Sequence, residues 1–183
     1  GRSGYTGEDG VEIFPPWEQT PMVFHSLLKA AQDLGIEAGP AGLAARDSLR
    51  FEPGFALYGH ELFEEVTPVE AALLWACYLD KPFIGREAVL RRKEEGAKEK
   101  LVTFVMEDTA VPRQGYVVKD LEGKEAGRVV TGLYAPTLDV FAGNSYVRSD
   151  LAGSGKTLYI EVRGALKKAR IEKRPLYKPA YRS

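Results

Sequence analysis

The chain has 183 residues, of which 44% are hydrophobic and 28% are charged, and its formal net charge is −1. This composition is typical of a globular protein of one or two domains, and the balanced charge argues against a nucleic-acid partner. A single cysteine excludes an internal disulfide and a zinc site built from cysteines, and it fits a reducing compartment. We see no signal peptide and no apolar run of membrane-spanning length, so we predict a cytoplasmic protein without a membrane partner or a metal.

The first predicted element is a strand at Val11–Phe14, which follows a glycine-rich segment and is ended by two prolines. Glu12 would leave this strand on the face opposite to Val11 and Ile13. From composition alone, the segment is either a tight turn with solvated carboxylates or a binding loop that aims Glu12 into a pocket. It is not a phosphate-binding loop, because no Gly-Lys-Ser/Thr follows and its acidic side chains would repel phosphate.

Two helices are predicted next. Thr20 and Pro21 are a typical helix start, apolar residues then recur at helical spacing, and Gly35 ends the helix. A shorter helix over residues 43–51 carries Arg46 and, one turn later, Arg50 on the same face. That charged face is either simply solvated or part of a site.

The middle of the chain predicts a strand at residues 74–79 and an amphipathic helix at residues 85–95, with Ile84, Ala88 and Val89 facing inward. A charged stretch without periodicity, residues 93–100, follows. We place a domain boundary there, which divides the chain into residues 1–97 and residues 98–183.

Six short β-rich runs separated by turn residues follow the boundary, which is typical of a barrel or a sandwich. They are residues 101–106, 115–118, 127–131, 144–147, 157–162 and 169–172. The first part therefore predicts an α+β fold and the second an all-β fold.

Several motifs resemble those of the glycine cleavage system T-protein family, the folate-dependent aminomethyltransferases. The segment from Gly4 to Glu12 matches the family's Gly-Tyr-Thr-Gly-Glu-Asp-Gly-Phe-Glu signature, with Val11 in place of Phe. Further matches are residues 41–50, 57–62, 79–87, 111–116 and 135–138. Residues 139–147 depart from the family's usual pattern. The chain does not begin with Met and opens almost inside its strongest motif, so we expect it to be a C-terminal portion that lacks the N-terminal part.

The resemblance implies a fold and an activity. Residues 1–97 would be the second ferredoxin-like α+β part of the folate-binding domain, and residues 98–183 the C-terminal β-barrel. The enzyme would transfer the methylene of an aminomethyl group, carried by the lipoylated H-protein, to tetrahydrofolate as the acceptor substrate, with release of ammonia. The family's catalytic aspartate lies in the N-terminal part, so no catalytic residue is assigned here and this chain alone is expected to be inactive.

Four folate-binding residues are implied by the same resemblance. Glu12 would bind the pterin, whose planar pair of N–H donors suits a carboxylate. Arg46 would hold a carbonyl or carboxylate of the folate through its planar guanidinium. Tyr5 would stack or hydrogen-bond near the ring, and Tyr181 would close the site.

Other members of the superfamily remain as alternatives. A tetrahydrofolate-dependent demethylase would share the fold and Glu12 but use a different donor. A folate-binding iron–sulfur assembly factor, which is not an ordinary enzyme, is disfavoured because Pro82 stands where that family carries a cysteine. A folded but inactive portion is the third alternative.

Overall fold

Six antiparallel strands close into a barrel in the second part of the chain. In the computed structural model, which describes residues 1–2 and 4–178, the neighbour order is β1-β4-β3-β2-β5-β6. The strands are β1 Glu99–Met106, β2 Val117–Lys119, β3 Glu125–Ala135, β4 Val140–Arg148, β5 Thr157–Val162 and β6 Ala165–Glu172. Each of the six β-rich runs contains or overlaps one of these strands, so the predicted barrel is confirmed.

Alternate residues of the strands fill the barrel, because successive side chains of a strand point to opposite faces. On β1, Val102, Phe104 and Met106 point inward and belong to one buried apolar cluster. Gly143 on β4 makes room for Phe104, since a Cβ at Gly143 would lie 2.6 Å from the Phe104 ring. Closure leaves the barrel without unpaired sheet edges.

Helices and turns dominate the described residues before the barrel. The three α-helices are α1 Thr20–Asp33, α2 Leu43–Phe51 and α3 Arg86–Glu95. The predicted bounds of α2 are confirmed, and those of α1 and α3 agree within a residue or two. Tyr58 and Leu62 form an isolated parallel bridge.

The two strands predicted in this part are wrong. Residues 11–14 form no strand, and Val11 and Phe14 are exposed. Residues 74–79 begin instead with a 3-10 turn, Leu74–Ala76. In both places the residues are apolar enough for a strand, but the described part of the chain offers no neighbouring strand to pair with their backbone groups.

The inward face of α3 was only partly predicted. Val89 is buried as expected, whereas Ala88 and Ile84 are exposed. Gly85 precedes the helix in a left-handed conformation with a φ of 91°. Ile84 therefore lies before a sharp turn and does not continue the face of the helix.

Helix α1 packs against little of the described structure. None of its residues is buried, and its apolar side chains Phe24 and Leu27 are exposed. Gly35, two residues after the end of α1, has a φ of 66°, which is the left-handed conformation expected of a glycine that terminates a helix. An isolated helix of this length is only marginally stable in water and normally depends on packing against other elements. The described residues provide α1 with little of that packing.

We predict opposite stability changes for two buried hydroxyls of the barrel. The Ser145 hydroxyl has no hydrogen-bond partner within residues 1–2 and 4–178, whereas Thr103 donates to Asn144 Oδ1 at 2.6 Å. Ser145→Ala should raise the free energy of unfolding by about 1 kcal/mol, because an unpaired buried hydroxyl is removed. Thr103→Val should lower it by about 1–3 kcal/mol, because Asn144 Oδ1 loses its donor. Urea unfolding measures both, and a loss of stability in Ser145→Ala would contradict the first.

Candidate ligand cleft

A buried ion pair joins helix α2 to the barrel. Arg50 Nη1 lies 2.9 Å from Glu61 Oε2, and the two side chains are 1% and 0% exposed. Arg50 Nη2 also donates to the Thr131 hydroxyl on β3 at 3.1 Å, and Arg50 Nε donates to Asp47 at 2.8 Å. One guanidinium therefore contacts its own helix, the loop after it and a barrel strand.

Glu61 has several hydrogen-bond partners besides Arg50. Its carboxylate accepts hydrogen bonds from Asn144 Nδ2 at 2.7 Å and from the backbone N–H of Leu57 at 2.9 Å. The Tyr146 hydroxyl donates to the backbone carbonyl of Glu61 at 2.7 Å. Asn144 and Tyr146 lie on the outer face of β4, so this face of the barrel is covered by the loop that carries Glu61.

These partners decide the ionisation of the pair. Burial by itself would raise the pKa of Glu61, but Arg50 and the hydrogen bonds from Thr131, Asn144 and Leu57 outweigh it and hold that pKa below the ordinary 4.5. Burial, and next to it the Glu61 carboxylate, raises the pKa of the Tyr146 phenol. At neutral pH, Glu61 is thus a carboxylate and Tyr146 a hydrogen-bond donor.

A cleft of about 370 Å³ opens beside this ion pair. It lies between the start of the chain, α2 and the loop after α2. Its lining residues are Tyr5, Leu43, Ala44, Arg46, Asp47, Arg50, Leu57 and His60.

Tyr5 and Arg46, two of the predicted folate-binding residues, meet in this cleft. The Tyr5 hydroxyl donates to the carbonyl of Ala56 at 2.5 Å, and its ring stacks on Phe55 with centroids 5.8 Å apart. The Arg46 guanidinium carbon lies 5.0 Å from the centroid of the Tyr5 ring, within cation–π distance. Arg46 is exposed, so its planar donors are available to a ligand.

Glu12 does not line this cleft. Its side chain is exposed, and its backbone pairs with Gly1 through N–H···O contacts of 2.8 and 2.9 Å. Its neighbours Val11, Ile13 and Phe14 are exposed as well. The role of Glu12 stays a prediction, and Tyr181 lies outside the described residues.

Sequence reasoning missed Glu61, Thr131 and Asn144. Their contacts join positions 81 and 83 residues apart, as in Arg50–Thr131 and Asn144–Glu61. No local pattern reports such a pairing. The one available signal was Glu61 inside an otherwise apolar and glycine-punctuated loop, where an unpaired carboxylate would be costly to bury.

Within the described ranges, no group of three or more His, Cys, Asp or Glu side chains is arranged to hold a metal ion. In the same ranges, no helix has both the length and the apolar character needed to cross a bilayer.

Comparison with known proteins places these features in a family. Residues 1–81 match the GCVT N-terminal domain, and residues 99–178 match the glycine cleavage T-protein C-terminal barrel domain. The chain belongs to the glycine cleavage T-protein family. The predicted resemblance is therefore confirmed, and so is the α+β fold class with a barrel as its second part.

Relatives of the chain are named aminomethyltransferase. Those of Desulforamulus reducens and Caldanaerobacter subterraneus are each 43% identical to it, over 97% and 99% of the chain, and the match covers 48% of each relative. The crystal structure of glycine cleavage system aminomethyltransferase T from Bartonella henselae superposes with a TM-score of 0.88 at 33% identity, over 97% of this chain and 49% of that one. The chain thus spans about half the length of the relatives it matches.

We predict that the buried pair makes stability depend on acid pH. Because the pKa of Glu61 is lower in the folded chain than the ordinary 4.5, its contribution is complete above pH 4.5 and is lost as the pH falls below it. Glu61→Gln should remove that part of the pH dependence and lower the free energy of unfolding at pH 7 by about 3–5 kcal/mol, since Arg50 stays buried without its counter-charge.

Asp47→Asn is the matched control, because the Asp47 side chain is 39% exposed and exposed pairs contribute about 1 kcal/mol or less. Urea unfolding between pH 3 and pH 7 measures both variants. Equal losses in the two variants would contradict a special role for the buried pair.

Proposed function

We propose that the chain is the folate-binding portion of a tetrahydrofolate-dependent aminomethyltransferase of the glycine cleavage system. Its proposed reaction transfers the methylene of an aminomethyl-lipoyl H-protein to tetrahydrofolate and releases ammonia in the cytoplasm. The observation that carries the proposal is the meeting of Tyr5 and Arg46 in one cleft, in a chain of the T-protein family. We retain residues 1–97 and 98–183 as the proposed domains.

The cleft chemistry suits one end of a folate. Arg46 offers several N–H donors in one plane, which match a carbonyl or a carboxylate of the ligand. The adjacent Tyr5 ring offers an aromatic face, and its hydroxyl is already held by Ala56, so the ring is fixed before a ligand arrives. Glu12 is proposed to bind the N–H donors of the pterin, once the exposed segment around it is covered.

We predict that Arg46 and Glu12 contribute separately to folate binding. Arg46→Ala should weaken tetrahydrofolate binding about 10- to 100-fold, and Glu12→Gln about 10-fold or more, because each removes hydrogen bonds to or from a charged group. Titration calorimetry of the protein at full length measures both affinities. The matched controls are Arg91→Ala and Glu37→Gln, which change exposed residues outside the cleft. Affinities equal to those of the controls would remove the residue from the site.

A second polypeptide segment is needed to complete the proposed enzyme. We call it the complementary segment, meaning the part of the relatives' length that this chain does not match. Apolar side chains gather on the first part of the chain, where they are exposed. They include Val11, Ile13, Phe14, Trp17, Met22, Phe24 and Leu27, together with Trp75, Phe83 and Ile84.

This exposed set fits an interface with the complementary segment. The barrel shows few exposed large apolar side chains, mainly Leu121, Tyr134 and Leu166, so the exposed large apolar side chains are concentrated in the part of the chain before the barrel. Such concentration typically marks an interaction surface. Covering it would also give α1 and the segment around Glu12 the packing that they lack.

We predict that ammonia release requires both the chain and the complementary segment. Mixed or joined, they should release ammonia from aminomethyl-lipoyl H-protein in the presence of tetrahydrofolate, and the chain alone should not. Phe24→Asp, on α1, should weaken their association at least tenfold, because burying an unpaired carboxylate is costly. Leu166→Asp, on the exposed surface of the barrel, is the control. Full association by Phe24→Asp would exclude α1 from the interface.

The same assay separates the proposal from the demethylase alternative. An assembly that binds tetrahydrofolate and, with a two-electron acceptor supplied, forms methylenetetrahydrofolate from an N-methylated amine without releasing ammonia would identify the demethylase. An assembly that binds no folate would overturn both functions.

A further inference from the structure

His60 lines the cleft together with Arg46. No role was assigned to this histidine from the sequence alone. It lies in a tight loop in which the N–H of His60 and that of Leu62 both bond to the carbonyl of Leu57. Gly59, with a φ of 87°, lets the chain turn there. The turn buries Glu61 against the barrel and leaves its neighbour His60 half-buried at the wall of the cleft.

A β-bulge supplies the partner of this histidine. On β3, Val129 pairs with Ser145 and Thr131 with Asn144, so Val130 is an extra residue without its own partner on β4. Bulges commonly redirect backbone groups next to functional sites. The Val130 carbonyl lies 3.0 Å from His60 Nδ1.

This contact fixes the tautomer of the ring. A carbonyl oxygen can only accept a hydrogen bond, so His60 Nδ1 must carry the proton. The Thr131 hydroxyl oxygen lies 3.3 Å from the same nitrogen and accepts a hydrogen bond from Arg50 Nη2, and it can accept a second one from a protonated Nδ1. A neutral His60 therefore has a bare Nε2, and among the described residues no group donates to it.

We propose that His60 Nε2 accepts a hydrogen bond from an N–H group of the bound folate. Nδ1 and Nε2 flank the same ring carbon, and their hydrogen-bonding directions diverge widely in the plane of the ring. A ring whose Nδ1 is directed at the Val130 carbonyl therefore directs Nε2 elsewhere. Arg46 donates hydrogen bonds and His60 would accept one. The cleft would therefore bind both a carbonyl or carboxylate group and an N–H group of the same ligand. This inference rests on the proposed function, because it assumes that the cleft binds folate.

The tautomer can be measured directly, because the chain has two histidines and His25→Asn assigns both by difference. At about pH 8, where an ordinary imidazole is neutral, long-range ¹H–¹⁵N spectra distinguish the protonated nitrogen from the bare one. We expect the proton of His60 on Nδ1. Addition of tetrahydrofolate to the protein at full length should then shift the Nε2 resonance of His60, and not that of His25. A proton on Nε2 of free His60, or an unmoved Nε2 resonance at saturation, would overturn the proposal.

One variant removes the Nε2 acceptor of His60 and keeps the contact of Nδ1. In His60→Asn, the side-chain amide can still donate to Val130 from near the Nδ1 position, but the Nε2 acceptor is gone. Folate affinity should fall about 3- to 12-fold, with a stability close to that of the unaltered protein. His25→Asn, the same change on exposed α1, should leave the affinity unchanged.

The outcomes are distinct. If the unaltered protein binds no folate, the proposed function fails and this inference fails with it. If the protein binds folate and His60→Asn binds it equally well, only the assignment of His60 is wrong. In His60→Gln, the amide oxygen can replace the Nε2 acceptor while the contact with Val130 is lost, so this variant should bind folate more tightly than His60→Asn. An equal or larger loss of affinity in His60→Gln would contradict the assignment.

Discussion

The buried contact between Arg50 and Glu61 is the constraint on which the rest of the structure depends. Removing two charges from water is costly, and the pair is tolerated because Thr131, Asn144, Asp47 and the backbone at Leu57 satisfy the remaining hydrogen-bonding groups. Apolar side chains could join the same surfaces in several orientations. A charged network with directed hydrogen bonds permits far fewer, so it fixes how α2 and its loop sit on the barrel.

The position of the cleft follows from that network. Arg46 lies one turn before Arg50 on α2, and His60 lies next to Glu61 in the loop. Each member of the buried pair therefore sets the position of one residue of the cleft. The polar groups that hold the structure together and those that face a ligand are therefore close in sequence: on the same face of α2, Arg50 is buried and Arg46 is exposed.

Local sequence patterns predicted an element correctly wherever residues close to it in sequence determine its structure. The six strands alternate and end at turn residues, and α2 has a clear break on either side, so both could be predicted. The strands expected at residues 11–14 and 74–79 required a pairing partner, which the described residues do not supply. The Arg50–Glu61 network could not be predicted either, because its members come from distant parts of the chain. Tyr5 and Arg46 were found through a family motif, and only the fold shows that they share a cleft.

The exposed α1 has a consequence for the protein in the cell. A helix without buried residues unfolds locally at little cost in free energy, and proteases cleave chains through such openings. Where the proposed interface covers α1, that opening is closed. The same contacts that complete the proposed enzyme would then also protect the chain from degradation.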